Sequence, residues 1–242
     1  MLKVVDTAVP LACWSCSVAH NESTLFCPHC SKIQPPSGGD YFSVFGLQPN
    51  LNLDLAALER EFHRLSRKLH PDRFARAGES EKQWSLADTA LLNDAYRTLK
   101  DPLRRTEYLL KLQGAEIGES SAAGAGPARG GEGKGGNRKD PSRVPADLLE
   151  KVFDLNMQIE EMRMAKKMGR EDPELRESLG KAKEKFDALV AAVDRDLRAQ
   201  WQVWDAGDAA AREPALRAMA ALLDRRRYLG NVVRDVSEIL GV

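Results

Sequence analysis

The sequence predicts a mainly α-helical protein made of a small four-cysteine metal-binding head, an antiparallel helix pair with a charged loop between its members, and a C-terminal three-helix bundle. Three observations carry that expectation. Apolar residues recur at helical spacing through both long segments, two C-x2-C pairs stand close together near the start, and a Gly/Ala-rich tract divides the helical portions. The divisions fall at 1–39 for the head, 40–116 for the helix pair, 117–143 for a flexible linker and 144–242 for the bundle.

In the head, Cys13, Cys16, Cys27 and Cys30 form C-x2-C-x10-C-x2-C, two knuckles whose thiolates can converge tetrahedrally on one ion. A structural zinc suits four soft sulfur ligands with no open position, and the same geometry accepts iron. A head this short, with little apolar content, needs such a staple to fold. His20 and His29 lie nearby, but four cysteines already satisfy the metal. QPPSGG, Gln34 to Gly39, then ends the unit.

The helix pair is read from DLAALEREFHRLSRKLH. Leu58, Phe62, Leu65 and Leu69 recur on one face, while Arg60, Arg64, Arg67 and Lys68 line the other. Asp54 is the expected N-cap, and Pro71 ends the helix near His70 because it removes a donor and pushes the preceding residue out of the helical region. A second helix is expected from about Ser80 to Lys100, with Leu92, Ala95, Tyr96 and Leu99 facing one way. Asp101-Pro102 then caps and opens a third helix that Gly114 closes.

From Ile117 to Arg143 the chain is too rich in Gly, Ala and Ser to bury a core. GEGKGG within it is not a phosphate loop, because Ala128 replaces the required first glycine and Gly135 stands where Ser or Thr is needed. Beyond it, PADLLEKVFDLNMQIEEMRMAKKM gives a helix stopping at Gly169, and Asp172-Pro173 starts a second that runs through KAKEKFDALVAAVDRDLRAQWQVW. A turn at Asp205 to Asp208 leads to a third helix, starting at Ala209 or at Pro214. Short links between long helices imply antiparallel neighbours.

Composition narrows the function. The 36 basic and 36 acidic residues cancel, so no global field draws the chain to nucleic acid or to an anionic membrane, and neither is expected as a partner. No run of about 18 apolar residues exists. The opening MLKVVDTAVPLACW lacks the pattern of a secretion signal, so the chain reads as soluble and cytoplasmic in a bacterium, or as residing in the mitochondrial matrix if eukaryotic with its leader removed. Four histidines, no nucleotide loop and no paired-acid cleft leave little from which to build an enzyme's site.

YFSVFGL, the basic helix ending in KLHPDRF, and LLNDAYRTLKDPLRRTEYLL together resemble a J-domain, and within J-domain proteins they resemble the HscB-type co-chaperones of iron-sulfur cluster assembly. The paired CxxC head resembles that of mitochondrial and some bacterial members. The resemblance implies that His70, Pro71 and Asp72, with Arg60, Arg64, Arg67 and Lys68, contact a DnaK/HscA-type heat-shock chaperone and stimulate its ATPase. It also implies that the bundle binds the scaffold protein IscU, with Leu149, Phe153 and Tyr228 at the positions of the family's apolar patch. Tyr228 stands where phenylalanine is usual, and Asn156 where some relatives have arginine. Two alternatives are a general J-domain co-chaperone for unfolded clients and a zinc-knuckle nucleic-acid binder, the second opposed by the neutral charge.

Overall fold

The computed structural model describes residues 11–20, 24–36, 39–115 and 148–242, so the 117–143 tract lies outside the described residues. The chain divides into two compact units, Met1–Gly114 with Trp204–Ala206, and Ala115–Val203 with Gly207–Val242.

The first unit begins with two short antiparallel strands, β1 (Leu11–Ala12) and β2 (Ala19–His20), and an isolated bridge between Phe26 and Ile33. The head is a duplicated turn. In each copy the first cysteine's carbonyl accepts from a serine N–H four residues on, Ser17 or Ser31, and its own N–H donates to the carbonyl of the next residue, Val18 or Lys32. Both serines sit at φ 59°, a left-handed conformation uncommon for a residue with a side chain. That strain persists because each turn brings two sulfurs to one side.

The helical part opens with α1 (Tyr41–Val44), capped by Asp40, whose carboxylate accepts from the Phe42 and Ser43 N–H groups. The next helix, α2 (Leu55–Leu69), is capped by Asp54 and ends where Pro71 forces it to, with a single 3-10 turn over Pro71–Phe74. α3 (Glu79–Lys100) returns alongside, and α4 (Pro102–Leu112) follows with Asp101 capping and Gly114 at φ +69° just beyond. The expected apolar faces meet here: Leu58, Leu65 and Leu69 are buried with Leu92, Ala95 and Leu99. Phe62 and Tyr96 remain half-buried at the edge and stack with ring centroids 4.1 Å apart.

One core residue runs against this pattern. Asp88 is fully buried, and neither of its carboxylate oxygens has a hydrogen-bond partner among the described residues, so burial pushes its pKa up to about 7. The folded value lies above the unfolded one of about 3.9, so the contribution is intact below about pH 4 and is lost as pH rises toward 7. Asp88→Asn is therefore expected to raise unfolding stability at pH 8 by on the order of 2 kcal/mol and to change it little at pH 4. Urea denaturation at the two pH values measures the difference.

The second unit contains α5 (Leu149–Lys167), α6 (Pro173–Ala206) and α7 (Ala209–Leu240). Gly169 at φ +67° ends α5, Asp172 caps α6, and Asp208 caps α7. The last helix thus starts at Ala209, and Pro214 lies inside it as the sixth helical residue, where proline removes the N–H that would otherwise reach the Ala210 carbonyl. Its core joins Val152, Leu155, Ile159 and Met162 of α5 to Leu179, Phe186 and Val193 of α6 and to Leu229 and Val236 of α7. The mainly α fold predicted from periodicity is the fold observed. The two-residue strands of the head are an addition, set by its knuckle turns rather than by any alternating pattern.

Candidate functional site

Three groups of residues stand out, and the first is the His70-Pro71-Asp72 loop. The Leu69 carbonyl, orphaned where α2 ends, accepts from the buried Ser85 hydroxyl of α3 at 2.7 Å, which fixes the point from which the loop leaves. His70 Nδ1 accepts from the Asp72 N–H at 3.3 Å and lies 3.5 Å from Asp72 Oδ2. The loop is therefore closed on itself by its own side chains while remaining exposed, His70 by 59% and Asp72 by 90% of their side-chain surface. With Nδ1 accepting, the ring presents Nε2 outward as a donor. Arg60, Arg64, Arg67 and Lys68 are all exposed on α2 beside it. Arg64 is engaged by Glu61 one turn earlier, and this pairing lowers the Glu61 pKa. Arg60 and Arg67 have no ion pair among the described residues.

The second group is the cysteine cluster. The four Sγ atoms all lie within 4.8 Å of one another, with Cys13 and Cys30 3.6 Å apart and Cys16 and Cys27 3.8 Å apart. A regular tetrahedron of sulfurs at ~2.3 Å from a zinc ion has edges of ~3.8 Å, so the four residues fit one metal ion. The surrounding donors favour thiolates: the Ser15 N–H, the His29 N–H and the buried Gln34 amide each reach a sulfur at 3.4 Å. Burial pushes the Cys13 thiol up, but hydrogen bonds from the Cys16 and Ser15 backbone and from neighbouring thiols outweigh it and bring the pKa down to about 6. Cys16 accepts from the Val18 backbone, yet burial and the surrounding sulfurs push it up to about 12. Four sulfurs this close cannot all ionise without a cation among them. No disulfide joins them. Stripping bound metal with a chelator is expected to unfold the head while leaving the helices intact, read as fast amide exchange from Cys13 to Gln34 with unchanged protection at Leu92 to Leu99.

The third group lies on α5, which is apolar on two sides. Opposite the residues that enter the core, Leu149, Phe153, Met157, Met164 and Met168 are exposed by 51% to 64%. At about 100° per residue they fall within an arc of roughly 100°. Leu149 and Phe153 therefore face solvent, while Tyr228 stands apart from them in kind: it is half-buried against the bundle core, and that burial raises its pKa. The three methionines were not singled out from the sequence. The signal was present, because Met157 continues the four-residue spacing from Leu149 through Phe153.

Comparison with known proteins turns this geometry into a class. A DnaJ domain matches residues 40–108, so the helix pair and its exposed HPD loop are a J-domain. Among J-domain proteins, the resemblance is to the HscB co-chaperones. The chain is 41% identical over 113 residues to the iron-sulfur cluster co-chaperone protein HscB of Mus musculus, covering 45% of this chain and 48% of that protein. It is 49% identical over 78 residues to the co-chaperone protein HscB homolog of Vibrio cholerae, covering 32% and 46%. The matched stretches thus span just under half the length of these curated relatives. The crystal structure of human HscB superposes over 94% of this chain and 98% of its own, with a TM-score of 0.61 at 25% identity. HscB from Vibrio cholerae covers 83% and 97%, with a TM-score of 0.53 and 25% identity.

Proposed function

We propose that this protein is a co-chaperone of iron-sulfur cluster assembly. It holds an IscU-type scaffold on the apolar face of α5, meets a DnaK- or HscA-type chaperone through His70, Pro71, Asp72 and the basic face of α2, and accelerates ATP hydrolysis by that chaperone. It catalyses nothing itself. The observation that carries the reading is an exposed, internally closed HPD loop at the end of a basic helix, in a J-domain whose relatives in mammals and bacteria are named as HscB.

The physical roles follow from the residues. Arg60, Arg67 and Lys68 steer an acidic surface on the chaperone and set its orientation, a contribution to encounter rate more than to affinity. Asp72 offers a charge-assisted hydrogen bond, and Pro71 keeps the loop short, so little ordering cost is paid on contact. On the bundle, Leu149 and Phe153 supply the apolar contact, and Tyr228 braces α7 beneath its surface. The cysteine cluster holds a structural zinc ion. The compartment is the one shared with scaffold and chaperone: bacterial cytoplasm, or mitochondrial matrix in a eukaryote.

The test is the steady-state ATPase rate of a purified DnaK-type chaperone with IscU-type scaffold, with and without this protein. Acceleration by this protein alone that rises further when scaffold is added supports the reading. Equal acceleration with denatured model substrates would instead support a general J-protein, and no acceleration would sink both.

A further inference from the structure

We propose that the four-cysteine head forms one wall of the surface that meets the chaperone, gripping an acidic extended segment of that partner between Lys32 and the start of the HPD turn. This rests on the co-chaperone reading and adds to it a part of the chain outside the J-domain match. The head is seated on the helices by named contacts. Trp14 meets Trp84 of α3 edge to face at 5.7 Å, Lys32 Nζ lies 3.3 Å from Glu81 Oε1, and Lys68 Nζ lies 5.6 Å from the centre of the Phe26 ring. Between head and helices runs an open cleft of about 390 Å³, lined by Phe26 and Lys32 on one side and by Lys68, Arg73, Phe74 and Glu81 on the other.

The chemistry of the cleft selects its occupant. Three cations converge on it against a single carboxylate, and that carboxylate is engaged by Lys32. Lys68 and Arg73 have no carboxylate within ion-pair distance among the described residues. Lys68 also belongs to the basic face of α2, and Arg73 follows Asp72 directly, so the cleft borders the residues proposed to face the chaperone. An exposed acidic stretch of polypeptide lying along α2 would therefore enter it. The Phe26 and Phe74 rings would cover that stretch's apolar residues. The knuckle that holds Phe26 and Lys32 in place is the one closed by Cys27 and Cys30, so metal binding by the four cysteines fixes this wall.

The experiment compares wild type with Lys32→Glu, Glu81→Gln and His70→Gln, recording the concentration of each that half-maximally stimulates a DnaK-type chaperone and, separately, its equilibrium affinity for that chaperone. Lys32→Glu is expected to raise the half-maximal concentration about 10-fold with the maximal rate unchanged, because a like charge now meets the acidic segment. Glu81→Gln is expected to lower it about two-fold by releasing Lys32, since glutamine keeps the Gly78 N–H contact of the original carboxylate. Chelator-treated wild type is expected to lose affinity by about the same factor as Lys32→Glu. If both cleft variants match wild type in rate and affinity while His70→Gln is inactive, the head is a bystander and this inference fails alone. If wild type itself gives no stimulation, the co-chaperone reading fails and takes the inference with it.

Discussion

His70→Gln is expected to abolish stimulation of the chaperone's ATPase, a loss of at least about 10-fold in the stimulated increment, while leaving the fold and scaffold binding untouched. The His70 side chain is 59% exposed, and its contacts are with Asp72 two residues on. Removing the ring takes away no core packing, so the unfolding temperature should move by no more than an ordinary surface substitution allows, about 0.5 kcal/mol equivalent. What is lost is a rigid donor at the tip of a loop held by Pro71 and by the Ser85 hydroxyl on the Leu69 carbonyl. Glutamine can donate too, but from a longer and freer side chain, and a contact that must be made in one orientation loses most when its donor is no longer held. Circular dichroism and ATPase turnover on the same preparation decide the matter. Retained stimulation in a folded variant would reduce the HPD loop to a helix stop.

The opposite phenotype is expected from Leu149→Ala combined with Phe153→Ala. Both side chains are more than half exposed, so neither alanine opens a cavity, and α5 keeps its inward set of Val152, Leu155, Ile159 and Met162. Large apolar residues at the centre of an interface each cost about 1 to 3 kcal/mol when truncated. The pair should therefore weaken scaffold binding about 100-fold, near 3 kcal/mol, with bundle stability and scaffold-independent stimulation of the chaperone unchanged. Calorimetric titration of scaffold into each protein is the direct measurement. If the double variant binds normally, the scaffold sits elsewhere, and the exposed methionines further along α5 become the next residues to truncate.

How much of this was legible varies with how local the cause is. The N-caps Asp54, Asp101 and Asp172, the stop at Pro71 and the closing glycines Gly114 and Gly169 were all readable, because each acts within one turn of its own position. So was the metal cluster, since C-x2-C spacing commits two sulfurs to one side before any tertiary contact forms. The two faces of α5 were harder. Leu149 and Phe153 were assigned to a binding patch by family resemblance and not by spacing, and only packing separates Val152 from Phe153. Asp88 gave no signal at all, because an acidic residue on a helix is ordinarily solvated and its burial depends on what α3 meets.

The sequence by itself thus determined a helical chain with a J-domain loop and a four-sulfur metal site, through periodicity, capping and ligand spacing, which are properties of short segments. Tertiary structure alone decided that Leu149 and Phe153 face water while Tyr228 is half-buried, and that Lys32 of the head stands beside Lys68 and Arg73. Those facts depend on residues 20 or more positions apart along the chain coming into contact. No local rule fixes such a meeting; the burial of apolar area across the whole unit does.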